Sequence, residues 1–190
     1  MFGDFFVCRQ RVNAKLESAM PPANVSVVQS SLLDLEVEVI VNAANTLMRG
    51  GGGIDGVIHQ RAGYKMLLEL QKVAPKGYQT GEVVVTPGFD LPQNWVIHTP
   101  GPIWRGGTQD EQALLANCYR NSMLKGRELG ARSIGFCSIS TGVYGFPIEL
   151  AAPIAFESVL PLANAFEKVV FAMFGVAEFE VFNNSLMRIQ

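Results

Sequence analysis

Four consecutive glycines, at positions 50–53, separate an apolar strand-like segment from a segment with helical periodicity. They belong to the stretch NAANTLMRGGGGIDG, residues 42–56, in which Asp55 closely follows the glycines. Glycine loses more backbone entropy on folding than any other residue, so four together are unfavourable unless another group must approach the backbone closely. This turn therefore constrains both the fold and the site.

The first interpretation of this glycine loop is a phosphate site. Free N–H groups and the dipole at a helix N-terminus favour an anion, and glycine lets that anion approach the backbone. The loop also matches G-x-G-x-x-G at Gly51, Gly53 and Gly56. In dinucleotide-binding folds, however, the glycines follow the strand directly and an acidic residue ends the next strand. Here neither holds, and no lysine and hydroxyl follow as in a P-loop; a surface linker remains the other alternative.

A second glycine-containing loop, SISTGVYGFP at residues 138–147, also lies between a predicted strand and a predicted helix. Its hydroxyls, Ser140 and Thr141, and its glycines, Gly142 and Gly145, can supply donors to further phosphate oxygens. Two such loops at the carboxyl ends of strands suit a diphosphate in an open α/β sheet. Taken alone, this segment is also compatible with an ordinary turn.

Strands and helices alternate along the chain, which predicts an α/β sandwich around a largely parallel sheet. Helices are predicted at 54–73 with a break near Gly63, at 109–130, from Pro147 with interruptions at Pro153 and Pro161, and at 177–187. Strands are predicted at 25–29, 37–44, 81–88, 94–101, 132–140 and 168–174.

Composition narrows the class of protein. The net charge is −2, from 15 basic and 17 acidic residues, which argues against a large nucleic-acid interface. No run of eighteen uncharged apolar residues is present to span a membrane, and the start of the chain lacks the basic region of a signal peptide. The three cysteines, Cys8, Cys118 and Cys137, have no metal-ligand spacing. We expect a cytoplasmic protein without metal or cofactor: an N-terminal extension at residues 1–23, either helical or poorly ordered, and one domain at 24–190.

Three motifs occur in a defined order: VIVNAANTLMRGGGGIDGVIHQRAG (39–63), GEVVVTPGFDLPQNWVIHTPGPIW (81–104) and SISTGVYGFP (138–147). Together they resemble the macrodomain family, and more narrowly its MacroD-type branch of O-acetyl-ADP-ribose and ADP-ribosyl-protein deacylases. The resemblance runs from about Asn24 to the end of the chain. It implies a three-layer α/β/α sandwich with a central mixed six-stranded sheet and an ADP-ribose cleft at the strand ends.

The resemblance also implies roles for matching residues. Asn45 matches the residue that orients the distal ribose, and Asp55 matches the catalytic carboxylate. A carboxylate at a helix N-terminus is expected to stay ionised as a weak base, so the phosphate of the substrate is an alternative base. Tyr144 is expected to cover the distal ribose, and Phe174 either stacks on adenine or packs in the core. The full set expected to contact ligand is Ser31, Asn42, Gly50, Gly51, Gly52, Gly53, Ile54, Ser140, Thr141, Gly142, Val143, Tyr144, Gly145, Phe146 and Phe174.

Other polar side chains near these motifs have structural as well as functional interpretations. Asn42 is expected to tie the glycine loop together. His59 lies four residues after Asp55, so the two share a helical face, where the histidine either orients the helix or acts as a general acid. His98 is expected to be a hydrogen-bonded core histidine and Cys137 a small core residue. Trp104 and Arg105 are expected to border the pocket.

One position departs from the family pattern. The strand VSVVQ is usually followed in macrodomains by Gly, Asp and Ile, and the Asp bonds to the adenine amino group. Here Ser30 and Ser31 occupy the first two of those positions, and Asp34 comes three residues late. Ser31 alone therefore predicts weaker adenine recognition, with Asp34 as the first candidate to replace the missing carboxylate.

The sequence thus predicts a metal-independent hydrolase of O-acyl-ADP-ribose, or of mono-ADP-ribosylated acidic side chains of proteins. A non-catalytic ADP-ribose reader is the alternative, and the presence of both Asn45 and Asp55 favours the enzyme. The hypothesis of an NAD-dependent oxidoreductase is supported by the glycine pattern alone.

Overall fold

A computed structural model of the chain describes residues 23–189. The N-terminal extension predicted at 1–23 lies, apart from its last residue, outside the described residues, and so does Cys8. The strands are β1 (Val25–Gln29), β2 (Val39–Ala44), β3 (Val84–Pro87), β4 (Trp95–Pro100), β5 (Ser133–Phe136) and β6 (Lys168–Met173). The α-helices are α1 (Gly53–Ala62), α2 (Tyr64–Val73), α3 (Glu111–Glu128), α4 (Ile148–Val159) and α5 (Val176–Arg188). Two 3-10 segments, Leu32–Asp34 and Leu160–Ala165, complete the elements.

The six strands form one sheet in the order β1-β6-β5-β2-β4-β3. All neighbours are parallel except β3, which runs antiparallel to β4. The central strands are buried almost along their whole length, which requires helices on both faces of the sheet. α4 packs against both α3 and α5, whereas α1 and α2 pack on each other, α1 against β2 and α2 against β3. The predicted α/β/α sandwich with a mixed six-stranded sheet is confirmed.

Glycine and proline set the local breaks. Gly63 has a φ of +80° and separates α1 from α2, so the predicted interruption is confirmed. Pro161 marks the change from α4 to a 3-10 segment, but Pro153 does not divide α4 as predicted. One lost backbone hydrogen bond at Pro153 is outweighed there by a buried face of Ala151, Ala152, Ala155 and Phe156.

The segment Ile148–Ala165 is long and apolar enough to cross a membrane by length and composition alone. It combines α4 with the following 3-10 segment, and α4 packs against α3 and α5. Glu149 and Glu157 lie on its exposed side. A core helix of a globular domain meets the same criteria, so the segment is weak evidence for a membrane span.

Candidate functional site

A cavity of about 530 Å³ lies at the carboxyl ends of the parallel strands. Ser31 follows β1, Phe174 follows β6, Ser138 follows β5 and Asn45 follows β2, and all four line the cavity. Ligands of open α/β sheets bind at this edge because the loops that leave parallel strands converge there. The sheet therefore brings together residues that are far apart in the sequence.

The strand order gives the cavity two different ends. Neighbouring strands lie roughly 4.8 Å apart, so β1 and β2, three places apart in the sheet, are separated by roughly 14 Å. Ser31 and Phe174 occupy the end beside β1 and β6, whereas Asn45 and Asp55 occupy the end beside β2. This layout suits an elongated ligand with chemically distinct ends.

Most residues predicted to contact a ligand line this cavity. They are Ser31, Asn45, Gly51, Gly52, Gly53, Ile54, Asp55, Ser140, Thr141, Gly142, Val143, Tyr144 and Phe174. Phe174 is 83% exposed, so the core alternative for this ring is wrong. Four other predicted contacts, Asn42, Gly50, Gly145 and Phe146, do not line the cavity.

Asn45 holds the glycine loop in place. Its Nδ2 donates to the Gly50 carbonyl at 2.7 Å, and its Oδ1 accepts from the Leu47 N–H at 3.0 Å. Gly50 has a φ of +77°, and a side chain there would meet the ring of His59 at 3.4 Å. A side chain at Gly50 would thus be directed at His59, and Gly50 does not line the cavity; its ligand contact stays a prediction.

At Gly51 and Gly56, glycine is explained by contacts within the protein. A Cβ on Gly56 would lie within 2.4 Å of the Gly51 carbonyl oxygen, so the turn itself excludes a side chain there. A Cβ on Gly51 would lie 3.2 Å from Oδ2 of Asp55, so glycine at this position leaves that oxygen approachable. Packing within the protein thus accounts for glycine at position 56 and favours it at position 51.

At Gly52 and Gly142, no contact within the protein explains why the residue is glycine. Gly52 has a φ of −93°, which any residue adopts, and neither glycine carries the positive φ that favours this residue. A Cβ at either position would meet no atom within 4 Å. Both line the cavity, one from each loop. The fold does not require glycine at these two positions, and the space beside each is open to the cavity.

The second loop carries strain and an unpaired hydroxyl. Ser140 has a φ of +67°, a conformation rare for a residue other than glycine, and its buried Oγ has no hydrogen-bond partner. Backbone strain and unpaired buried polar groups occur together at ligand sites. Gly145 also has a positive φ, and its N–H donates to the Gly142 carbonyl at 2.9 Å. Gly145 therefore forms the turn, whereas Ser140 and Thr141 line the cavity.

Phe146 and Trp104 support the second loop from outside the cavity. The two rings pack with centroids 4.6 Å apart, and Phe146 is buried. The backbone N–H of Trp104 donates to the Tyr144 carbonyl at 2.9 Å. Phe146 is thus a packing residue. Trp104 and Arg105, which were predicted to border the pocket, are not among the residues that line the cavity.

Asp55 is a buried carboxylate that still lines the cavity. Its Oδ1 accepts a hydrogen bond from Asn42 Nδ2 at 2.7 Å and lies 3.5 Å from Nε2 of His59. Burial raises its pKa above the ordinary 3.8, and the Asn42 hydrogen bond and the charge of His59 oppose that rise. Desolvation outweighs the stabilising contacts and makes this carboxylate more basic than an ordinary aspartate, whereas its role as the base stays a prediction.

Asn42 ties Asp55, not the glycine loop, to the centre of the sheet. Its Nδ2 also lies 3.0 Å from Nδ1 of His98, whose Nε2 lies 2.9 Å from Oγ1 of Thr86. Burial lowers the pKa of His98 to about 3, so the ring is neutral. Because Asn42 donates to Nδ1, the hydrogen of His98 lies on Nε2 and is donated to Thr86. The prediction of a hydrogen-bonded core histidine is confirmed.

We expect Asp55→Asn to stabilise the fold at neutral pH. A raised folded pKa means that ionising Asp55 costs stability, increasingly so as the pH rises from 3.8 through the folded pKa. Asparagine keeps an oxygen for Asn42 and carries no charge. Thermal unfolding should show a melting temperature a few degrees above wild type at pH 7, with the difference disappearing toward pH 3.8. A variant less stable at pH 7 than wild type would contradict the burial cost.

Several residues of the cavity lining were not predicted from the sequence. Cys137 lies just beyond β5 and lines the cavity, but burial raises the pKa of its thiol to about 12, so it is no nucleophile at neutral pH. Glu178, in the first turn of α5, also lines the cavity. A glutamate three residues after Gly175 is a capping signature that marks the helix start, but it gives no sign of a cavity. Within residues 23–189, no three His, Cys, Asp or Glu side chains group to hold a metal ion.

Two glycine-containing loops and a buried carboxylate meet at one edge of a mixed sheet, an arrangement of an α/β domain that suits a phosphate-containing ligand. The Macro domain family model matches residues 41–155, and the chain belongs to this family. A Macro domain-containing protein of Ralstonia nicotianae is 45% identical over 167 residues, which cover 88% of this chain and 96% of that protein.

Solved structures agree with this assignment. The Oceanobacillus iheyensis macrodomain with ADP is 38% identical and has a TM-score of 0.80, covering 86% of this chain and 90% of that one. The Trypanosoma brucei macrodomain in complex with ADP-ribose is 37% identical, also with a TM-score of 0.80, covering 88% and 71%. The predicted family is confirmed, whereas its MacroD-type branch stays a prediction.

Proposed function

We propose that the protein binds ADP-ribose in this cavity and hydrolyses acyl esters of it, as a MacroD-type deacylase. The observation that carries the proposal is the pair of glycines, Gly52 and Gly142, that face open space on two opposed loops with no internal need for glycine. A diphosphate fills that space, because its oxygens approach backbone N–H groups most closely where no side chain intervenes.

The rest of the ligand follows from the layout of the cavity. Adenine lies at the β1–β6 end against the exposed ring of Phe174. The distal ribose lies at the β2 end beside Asn45 and Asp55, with Tyr144 over it. Structural relatives described as complexes with ADP and with ADP-ribose support this choice of ligand.

Asp55 carries the chemistry in this proposal. Its Oδ1 is occupied by Asn42 and His59, so Oδ2, which Gly51 leaves approachable, is free for a water molecule. The water oxygen attacks the ester carbonyl carbon while Oδ2 accepts a water proton. The bond from that carbon to the ribose oxygen then breaks, and the proton passes to the departing ribose oxygen. The products are a carboxylic acid and ADP-ribose with a free hydroxyl.

The same cavity supports two other assignments. The substrate's phosphate accepts the proton if Asp55 only positions the water. A non-catalytic reader remains the second candidate function, and the structure gives one observation for it: Asn45 is used to hold the loop, a task that a reader also needs. Asp55 is therefore the residue that separates an enzyme from a reader.

One preparation tests the proposal in two assays. Calorimetric titration with ADP-ribose measures binding, and hydrolysis of O-acetyl-ADP-ribose measures turnover. We expect both to succeed. Binding without turnover would identify a reader, and no binding would overturn the assigned ligand.

The pH dependence of turnover should follow the ionisation of Asp55. Because its pKa is raised by burial, kcat/KM should rise with pH through a value above 3.8 and then level off. Asn42→Ala removes a hydrogen bond that lowers this pKa. The part of the profile in which kcat/KM rises should therefore move to higher pH. Circular dichroism controls for folding, and an unmoved profile in a folded variant would contradict Asp55 as the base.

A further inference from the structure

The end of the cavity beside β1 and β6 contains a carboxylate, Glu178, that was not predicted from the sequence to belong to the site. The Ser30 N–H donates to the Met173 carbonyl at 3.0 Å, so the ends of β1 and β6 lie side by side. α5 starts just beyond β6 and packs on both strands. Glu178 in its first turn therefore lines the same end of the cavity as Ser31 and Phe174.

Only one of the two carboxylate oxygens of Glu178 is used in a hydrogen bond among the described residues. Its Oε2 accepts from the Gly175 N–H at 3.3 Å, as a helix cap, and Oε1 has no bonded partner among the described residues. No lysine or arginine within residues 23–189 forms an ion pair with it. The pKa of Cys137 is raised chiefly by burial and then by the charges of Glu178 and Asp55. The charge of Glu178 therefore acts on a residue that lines the cavity.

The other candidates at this end cannot supply a free carboxylate. Ser31 is neutral, and its Oγ accepts from the Leu33 N–H at 3.3 Å to cap the following 3-10 segment. Asp34 is exposed and lies outside the cavity lining, so it does not replace the missing aspartate as predicted from the sequence. Glu178 is the acidic side chain that lines the cavity at its β1–β6 end.

Building on the proposed ADP-ribose site, we propose that Glu178 is the specificity residue for the base and accepts a hydrogen bond from the exocyclic amine of adenine. The oxygen not used by the helix cap makes this contact while Phe174 covers the ring. A hypoxanthine base presents a carbonyl oxygen in place of the amine, and two acceptors then face each other. The protein should therefore prefer ADP-ribose over its hypoxanthine analogue, although Ser31 replaces the usual aspartate.

The test compares the two ligands by calorimetry in wild type and in Glu178→Gln. When the amide oxygen of the glutamine caps Gly175, only its NH2 group faces the base, and that group can donate to a hypoxanthine carbonyl but cannot accept from the adenine amine. We expect wild type to bind ADP-ribose about tenfold or more tighter than the hypoxanthine analogue, and Glu178→Gln to lose most of that ratio. Glu180→Gln, an exposed position on the same helix outside the lining, is the matched control and should keep the ratio.

A rescue variant strengthens the test. Ser31→Asp combined with Glu178→Gln returns a carboxylate to this end of the cavity from the segment that follows β1, so the preference for adenine should return. An unchanged ratio in Glu178→Gln would mean that Glu178 only caps the helix, and equal binding of both ligands by wild type would also overturn its role. In either case ADP-ribose still binds, whereas failure of wild type to bind ADP-ribose at all would overturn the proposed function itself.

Discussion

Replacing Asp55 by alanine should lower the rate of O-acetyl-ADP-ribose hydrolysis by roughly 10²–10⁴-fold, the usual cost of losing a positioned acid–base group. Binding of ADP-ribose should persist, because the glycine loop is held by Asn45 and not by the carboxylate. Single-turnover kinetics and calorimetry on the same variant separate the two effects. Hydrolysis at the wild-type rate would contradict the assigned role of Asp55.

Asp55→Asn is the control that separates proton acceptance from water positioning. The asparagine oxygen can still accept the hydrogen bond from Asn42, so the local geometry is kept. If Asp55 is the base, this variant should lose as much activity as Asp55→Ala. A variant that keeps a large part of the rate would assign proton acceptance to the substrate's phosphate and positioning to Asp55.

Gly52→Glu should abolish binding of ADP-ribose while the protein stays folded. A Cβ at Gly52 meets no protein atom within 4 Å and the backbone conformation is ordinary, so the fold tolerates a side chain there. The new carboxylate would occupy the space assigned to the diphosphate and repel its charge. Calorimetry measures the loss of binding, and thermal unfolding verifies the fold.

Gly52→Gln is nearly the same size as Gly52→Glu but uncharged, and it divides the effect into two parts. We expect the glutamine variant to bind weakly and the glutamate variant not at all, with the difference shrinking at high salt as charge repulsion is screened. Wild-type affinity in the glutamate variant would place the diphosphate elsewhere.

The elements of the fold were predictable because their signals are local. Alternation of strands and helices, the break at Gly63 and both glycine loops follow from the residues within each segment. The same holds for His59, which meets Asp55 because four residues separate them on one helix. Pro153 was misjudged because packing of the α4 face against α3 decides its outcome, and that contact is not local.

Residue roles that depend on distant partners could not be predicted. Asn42 and Asn45 lie three residues apart in one motif, yet Asn45 closes the loop while Asn42 positions Asp55. His98, 56 positions after Asn42, decides that difference because β4 lies beside β2. The position of Glu178 beside Ser31 likewise depends on the parallel pairing of β1 with β6, which joins the two ends of the domain.

A crystal structure of the wild-type protein with ADP-ribose tests the central claim most directly. We predict that the diphosphate lies between the loops that contain Gly52 and Gly142, with Oγ of Ser140 bonded to it. Adenine should lie against Phe174, and the distal ribose should lie beside Asp55. A diphosphate bound away from both loops, or a distal ribose remote from Asp55, would contradict this account.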